Sequence, residues 1–233
     1  MKPYATTLSV LLALTLLQAR AICVAAADTA ETTSAPGDLF DMSMEELMQI
    51  EVVSVSRRPQ TIGNLSAPVS VITAEDIHYS GLTNIYEVLQ FALGVDALQL
   101  DRNNYALGIR GLHEAFSDRT LTLIDGRPAD NPVFGGSQFL RLPLLLQDVE
   151  RIEVVRGPAG AAWGANALNG VINSITKQPK DCTGVQTSTQ WNEFGDNYHH
   201  LRYADQKGPS TWRLSLGYEA QETSSDALHD DKR

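Results

Sequence analysis

Two β-strands joined by a glycine-rich bend are predicted by one stretch of the chain, VERIEVVRGPAGAAWGANALNGVINSITK at residues 149–177. The strands, residues 149–157 and 170–177, are rich in β-branched side chains and are bounded by turn residues. Glycine permits positive φ angles and lets another backbone pass close by, and Trp163 is the one large apolar side chain of the bend. The stretch therefore predicts a tightly folded bend that is packed within a larger structure.

The glycines of this bend do not match a nucleotide-binding loop. No G-x-G-x-x-G occurs and no G-K-[ST] ends the loop, so neither the close approach to pyrophosphate nor the phosphate-binding lysine is provided. The chain also lacks a G-x-S-x-G elbow, an H-E-x-x-H pair and a Cys-His constellation. We therefore expect no catalytic residues, no cofactor and no metal site.

The charge balance argues against a nucleic-acid partner. The 233 residues include 28 acidic and 18 basic side chains, which gives a formal net charge of −10. A nucleic-acid surface needs clustered Lys and Arg, and the sequence has no basic run. With 43% hydrophobic and 20% charged residues, the composition is that of a folded protein.

Residues 1–27 have the features of a secretion signal. Lys2 gives a positive start, residues 8–17 form an apolar run, and small residues then precede two candidate cleavage points, after Ala21 and after Ala27. The apolar run is too short to span a bilayer, which takes about 20 residues. Cleavage after Ala27 leaves Cys182 as the only cysteine, so we expect no internal disulfide.

Residues 28–59 are predicted to be a tether. The first part is small and polar, and Ser43 with Glu46 then forms a capping box for a short helix. After this helix, residues 50–56 (IEVVSVS) are β-branched and predicted to be extended, until the sequence RRPQ with Pro59 interrupts them.

Residues 65–177 are predicted to form a compact α+β domain. A strand at 67–73 leads into a helix that Thr73 and Asp76 open and Gly81 closes. A second helix, stopped by Gly94, is expected to place five apolar residues on one face. These residues are Ile85, Val88, Leu89, Ala92 and Leu93.

One sheet is expected to pack against that helix. Its strands are predicted at residues 105–111, 119–128, 149–157 and 170–177. Asp125 and Gly126 are the clearest turn signal within it.

Apolar and polar residues alternate after residue 181. In WRLSLGYEA, for example, Trp212, Leu214, Leu216 and Tyr218 alternate with polar or small residues. An apolar face with terminal aromatic residues is typical of membrane β-barrel strands. An amphipathic strand of a soluble sheet, with its apolar face on a protein core, gives the same pattern.

Four blocks of the sequence resemble the plug domain of TonB-dependent outer-membrane receptors. They are APVSVITAEDI at 67–77, LGIRGL at 107–112, TLTLIDGRP at 120–128 and the stretch 149–177. The resemblance covers about residues 38–181 and continues into the start of a barrel. It implies an α+β fold: a small mixed-sheet plug domain with flanking short helices, followed by the first strands of an incomplete antiparallel transmembrane β-barrel.

The resemblance also implies a function and its partners. In this family the plug fills a large outer-membrane barrel, a known class with about 22 strands. A scarce nutrient, such as a metal-siderophore or a cobalamin-like compound, binds from outside. The periplasmic C-terminal domain of TonB, an energy-transducing protein, then pairs with an extended N-terminal segment by strand addition. The expected partners are therefore TonB, the receptor's own barrel, the outer membrane and a small-molecule or metal-chelate ligand.

The resemblance places the TonB-pairing segment, or TonB box, at residues 51–55. The members of this segment are Glu51, Val52, Val53, Ser54 and Val55. The segment is short and β-prone and is separated from the domain by two arginines and a proline. A first strand of the plug and an inert linker are the alternatives for the same residues.

Two further groups of site residues are implied by the resemblance. Charged residues in or beside plug strands are expected to pair with the barrel wall, with surface solvation as the alternative. They are Arg110, Arg119, Glu153 and Arg156. Ligand-facing residues are expected at the plug apex: Asn131, Phe134 and Gln138.

The predicted organisation is therefore a signal peptide at 1–27, a tether at 28–59, a plug domain at 60–180 and initial barrel strands at 181–233. About 22 strands of about ten residues cannot fit in the last segment, so we expect a truncated barrel. The expected location is the cell outer membrane. A free periplasmic plug-like binding module without transport activity is the alternative, and a secreted hydrolase is disfavoured because no catalytic constellation is present.

Overall fold

The computed structural model describes residues 51–65, 67–101, 104–114, 119–129, 136, 144–191 and 196–220. The predicted signal peptide and the predicted helix at Ser43 lie outside these residues. Within the described part, the chain divides after Asp181 into two compact units, which are treated separately below.

The first unit contains ten strands and three short α-helices in its described residues. The strands are β1 (Glu51–Val52), β2 (Gln60–Thr61), β3 (Val69–Thr73), β4 (Val95–Asp101), β5 (Asn104–Ile109), β6 (Leu112–Glu114), β7 (Thr120–Ile124), β8 (Arg127–Pro128), β9 (Val149–Arg156) and β10 (Gly170–Thr176). The helices are α1 (Ala74–Ser80), α2 (Ile85–Leu89) and α3 (Gly160–Trp163), with 3₁₀ turns at Ile62–Asn64, Leu146–Asp148, Ala165–Ala167 and Pro179–Cys182. No helix in the described ranges is long and apolar enough to cross a lipid bilayer.

A five-stranded mixed sheet forms the centre of this unit. Its order is β3-β9-β10-β7-β8, with β10 and β7 parallel and the other neighbours antiparallel. The mixed sheet expected from the sequence is confirmed, as are the strands at 67–73, 149–157 and 170–177 to within two residues. The glycine-rich bend between β9 and β10 contains α3 and the 3₁₀ turn that follows it.

The two faces of the sheet carry different cores. One face, here called the helix face, packs against α1, α2 and β5. Its central side chains are Ile72, Ile152, Val154 and Ile172. The other, here called the open face, carries a smaller apolar cluster of Leu121, Leu123, Val155 and Val171, with Ala159 and Ala167 from the bend. Because side chains alternate along a strand, Glu153 and Asn173 also belong to the open face.

The predicted first helix is confirmed together with both of its ends. The hydroxyl of Thr73 accepts a hydrogen bond from the Asp76 N–H (3.2 Å), and the Asp76 carboxylate accepts one from the Thr73 N–H (2.8 Å). These two bonds are the reciprocal capping box. Gly81 ends the helix in the left-handed conformation, at φ 68°.

Replacing Thr73 by alanine should lower the free energy of unfolding by about 1 kcal/mol. The substitution removes the hydroxyl that satisfies the Asp76 N–H, and it keeps the backbone groups with which residue 73 ends β3. Thr73→Ser retains the hydroxyl and is the matched control, expected to keep most of the stability. Urea unfolding followed by circular dichroism measures both variants, and equal midpoints for them would contradict the role of the cap.

The predicted second helix begins as expected but ends early. Asn84 caps it by accepting a hydrogen bond from the Tyr86 N–H (2.9 Å), and the α-helix stops at Leu89. Residues 90–92 continue through bonds to the third preceding residue, and Gly94 turns the chain at φ 74°. Leu93 therefore leaves the apolar face on which the sequence pattern places it, and its exposed fraction is 75%.

The strand predicted at 105–111 does not join the central sheet. It forms β5 of a separate three-stranded antiparallel sheet, β4-β5-β6, in which β4 was not predicted. Arg110 and Gly111 are the two-residue turn between β5 and β6, both at positive φ as a type I′ hairpin requires. The apolar run that looked like one strand is thus the end of one strand and a tight turn.

The turn predicted at Asp125 and Gly126 is confirmed. Both residues have positive φ, 50° and 75°, and they link β7 to β8 as a two-residue hairpin loop. The Asp125 carboxylate accepts hydrogen bonds from the N–H (2.8 Å) and the hydroxyl (3.0 Å) of Thr176. The turn is therefore tied to the end of β10.

The second unit contains an antiparallel sheet of three consecutive strands. They are β11 (Gly184–Trp191), β12 (Asn197–Lys207) and β13 (Ser210–Ala220). The predicted alternation is present, because Trp212, Leu214, Leu216 and Tyr218 share one face of β13 and are exposed. Tyr203 of β12 packs edge-on against Trp212, with ring centroids 5.0 Å apart.

Candidate functional site

The candidate TonB box, residues 51–55, begins as a strand and ends in a turn. Glu51 and Val52 form β1, which pairs with β2. The chain then turns back, and the Arg57 N–H donates to the Val53 carbonyl (3.0 Å). Within the described residues 51–56, the strand predicted through Ser56 is therefore limited to Glu51 and Val52.

A buried carboxylate on β9 explains this turn. Oε2 of Glu153 accepts hydrogen bonds from the Val53 N–H (3.0 Å), the Ser54 N–H (3.0 Å) and the Ser54 hydroxyl (2.5 Å). Oε1 accepts from Nε of Arg151 (3.0 Å). Both Glu153 and Ser54 have no solvent exposure, so four donors compensate a charge that would otherwise be costly to bury.

Two more side chains hold Ser54. Nδ2 of Asn173 donates to the Ser54 hydroxyl oxygen (3.1 Å), and Nε1 of Trp163 donates to the Ser54 carbonyl (2.7 Å). The three residues that contact Ser54 come from β9, β10 and α3. We call residues 53–57 the strap, because this segment crosses the open face and is bound at its middle.

The far end of the strap carries a strained residue. Arg57 has φ 61°, in the left-handed region that a non-glycine residue rarely adopts. Its guanidinium lies 4.4 Å from the centroid of the Trp163 ring, in a cation–π contact. Val55 packs against the apolar cluster of the open face. Trp163 therefore contacts the strap through both its N–H and its ring.

A groove lies on the open face beside the strap. Its volume is about 960 Å³. Val53, Arg57 and Trp163 form its strap side, and Arg151 and Asn173 contribute polar groups from the sheet. The groove therefore adjoins the ion pair of Arg151 and Glu153 through the side chain of Arg151.

The four charged residues expected to face a barrel have different surroundings. Arg110 is exposed in the β5–β6 turn, and Arg119 is exposed immediately before β7. Nη1 of Arg156 donates to the Leu93 carbonyl (3.1 Å), while Glu153 makes the strap contacts described above. Their pairing with a barrel wall stays a prediction. The apex residues Asn131, Phe134 and Gln138 lie outside the described residues.

Sequence reasoning did not find the contacts between the strap and the sheet. Asn173 was unassigned, and Glu153 was assigned to a barrel contact instead. One signal was available: Asn173 interrupts the apolar row of Val171 and Ile175, and a buried amide in such a row needs a hydrogen-bond partner. The identity of that partner depends on the fold.

No metal centre is formed by the described side chains. Among residues 51–65, 67–101, 104–114, 119–129, 136, 144–191 and 196–220, no group of three or more His, Cys, Asp or Glu residues is placed to share a metal ion.

The family of the domain follows from comparison with known proteins. Residues 61–171 match the family model of the TonB-dependent receptor plug domain. Together with the mixed sheet and its short helices, this match identifies residues 61–171 as a TonB-dependent receptor plug domain. The resemblance inferred from the sequence is confirmed.

Solved receptors share the fold. The ferric-catecholate import receptor Fiu from E. coli K12 is 26% identical, with a TM-score of 0.54 over 70% of this chain and 22% of that chain. The ferric enterobactin receptor PfeA from Pseudomonas aeruginosa is 26% identical, with a TM-score of 0.50 over 68% and 25%. The pyoverdine outer membrane receptor FpvA from Pseudomonas aeruginosa PAO1, at 20% identity, has a TM-score of 0.60 over 75% and 25%.

These alignments confirm the fold class and show which part of the solved receptors the chain matches. The mixed-sheet plug is followed by antiparallel strands that match the beginning of a receptor barrel. The chain spans about a quarter of the length of the solved receptors. The similar proteins are transport receptors rather than enzymes.

Proposed function

We propose that this chain is the plug portion of a TonB-dependent outer-membrane receptor that takes up a metal-siderophore. The match of residues 61–171 to the plug family carries the proposal. The substrate class is supported by the two receptors at 26% identity, one for ferric catecholates and one for ferric enterobactin. A cobalamin-like compound, the other nutrient expected from the sequence, has no comparable support among these receptors.

The proposed organisation follows the sequence prediction. A signal peptide at 1–27 exports the chain, a tether at 28–59 reaches the periplasm, the plug occupies 60–180, and barrel strands start at 181. The exposed apolar face of β13 supports placement of these strands against lipid. The residues proposed to face the ligand remain Asn131, Phe134 and Gln138.

We also propose that residues 51–55 pair with the C-terminal domain of TonB. Glu51 and Val52 already have strand conformation, and the segment lies on the N-terminal side of the family match, which begins at residue 61. Strand addition uses backbone donors and acceptors for affinity, so a segment this short is sufficient only if most of its backbone groups take part.

A synthetic peptide of residues 50–56 should bind the isolated C-terminal domain of TonB. The same peptide with Val53→Pro should bind at least about tenfold more weakly, because proline removes one ladder donor and disfavours pairing. Isothermal titration calorimetry compares the two, and a scrambled peptide is the control for composition.

The peptide result separates the two functional alternatives. A receptor plug needs an energising partner, whereas a free binding module does not. Equal binding of the native, proline and scrambled peptides would refute the assignment of residues 51–55 and favour the free module.

A further inference from the structure

The groove on the open face lies over three strands of the central sheet. Its sheet side is lined by residues of β7, β9 and β10: Leu121, Arg151, Asn173 and Ile175. Trp163 and Val53 line it on the strap side. Adjacent strands lie about 4.8 Å apart, so three neighbouring strands span about 10 Å. The groove therefore offers a partly apolar surface about 10 Å wide to a further element.

The segment that precedes the strap reaches this groove without a long connection. Val53 lines the groove and is held in place by the bond from its N–H to Glu153 (3.0 Å). Residues 42–49 end four residues before Val53. A short connection costs little closure entropy, so this segment stays close to the groove at a high local concentration.

Residues 42–49, MSMEELMQ, have the pattern of a short amphipathic helix. With Ser43 as the cap, the apolar and polar side chains fall on opposite faces: Met44, Leu47 and Met48 against Glu45, Glu46 and Gln49. Met42, directly before the cap, has the sequence position of a hydrophobic staple with Leu47. A helix of about six residues is not stable alone in water, so it forms only where its apolar face is buried.

We propose that residues 42–49 fold as a helix that docks its apolar face into the groove on the open face. A helix of about six residues is about 9 Å long, which matches the width of three strands. Methionine side chains are flexible and adapt to irregular surfaces, and the groove presents such a surface where Trp163 and Ile175 adjoin polar side chains. The face with the two glutamates stays in solvent. The occupant of the groove is thus this chain's own N-terminal segment, bound as an amphipathic helix.

The docked helix extends the plug toward its N-terminus. The helices α1 and α2 pack on the helix face, and the docked helix gives the open face a covering layer as well, which is how a sheet buries both of its surfaces. Of the proposed tether, only residues 28–41 then project from the plug. This docking depends on the plug fold and not on which protein pairs with residues 51–55.

The first test measures amide hydrogen exchange in the full chain by mass spectrometry. Docking should slow exchange in a peptide covering residues 44–49 by about tenfold or more relative to the unfolded chain. Leu47→Glu places a charge on the apolar face and should abolish this protection. Gln49→Glu places the same charge on the polar face and is the matched control, expected to retain it. Unprotected residues 44–49 in the unmodified chain, or equal protection in both variants, would overturn the docking.

A pair of substitutions in the plug tests whether the groove is the docking site. Ala165 is exposed and lines the groove, so Ala165→Glu should accelerate exchange in residues 44–49 by about tenfold or more. Leu168→Glu, at an exposed position of the same bend outside the groove lining, is the control and should leave exchange unchanged. Protection that persists in a folded Ala165→Glu chain would contradict the proposed site. If that chain does not fold, cross-linking decides the location of the helix.

The cross-linking test uses a full chain in which Cys23 and Cys182 are replaced by serine. Met48→Cys is combined with a second cysteine substitution, either at Asn166, which is exposed and lines the groove, or at Tyr79, which is exposed on α1. A short bismaleimide should join positions 48 and 166 within one chain about tenfold more efficiently than positions 48 and 79. Equal yields would overturn the groove as the site. A product that joins two chains would assign the groove to a second copy and would also overturn the docking.

Discussion

Replacing Gly170 by alanine is expected to lower the free energy of unfolding by about 3 kcal/mol or more. A Cβ atom at this position would lie 2.2 Å from the Val155 carbonyl oxygen and 2.7 Å from Cδ1 of Ile109. The first of these is a backbone atom of the neighbouring strand, which cannot move without disturbing the β9–β10 ladder. Gly170 also has φ 156°, a conformation that side chains rarely adopt.

Gly160→Ala is the matched control for this substitution. Gly160 lies in α3 of the same bend, and a Cβ atom there would meet nothing within 4 Å. Alanine should therefore be neutral or slightly stabilising, by up to about 1 kcal/mol. Urea unfolding of both chains measures the difference, and similar midpoints would show that β9 and β10 approach less closely than the structure indicates.

Local chemistry explains why some elements were predictable from the sequence. The first helix has its capping box, its apolar Ile77 and its terminal Gly81 within nine residues, so its start and end are encoded locally. The hairpin at Asp125 and Gly126 is similar, because its two turn residues alone favour a type I′ turn. Strands β9 and β10 were found because each is bounded by turn residues and rich in β-branched side chains.

Contacts distant in sequence explain what was missed at the candidate site. Ser54 is 99 residues from Glu153 and 119 residues from Asn173. Intrinsic propensity favours an extended conformation for VVSV, but the buried carboxylate draws two successive amides to one oxygen. Tertiary structure overrides local preference here, and no pattern within residues 50–59 indicates the turn.

The end of the second helix is another feature that depends on tertiary structure and that the sequence pattern did not predict. The apolar spacing continues to Leu93, yet the chain must reverse to place β4 beside β5, and the α-helix stops at Leu89. Spacing reports which residues could share a face, whereas burial depends on where the helix stops. Leu89 and Leu93, which the sequence pattern treats as equivalent, therefore differ completely in exposure.

This difference in exposure predicts that replacing leucine by alanine has a large effect on stability at position 89 and a small one at position 93. Leu89 has no solvent exposure and belongs to the core of the helix face, so Leu89→Ala should lower the free energy of unfolding by about 3 kcal/mol through lost burial and a residual cavity. Leu93 is 75% exposed, and its contact with Arg156 uses the main-chain carbonyl, which alanine retains. Leu93→Ala should therefore change stability by less than about 0.5 kcal/mol. Urea midpoints measured under identical conditions decide the matter: equal losses would mean that the helix continues to Leu93 and buries both leucines.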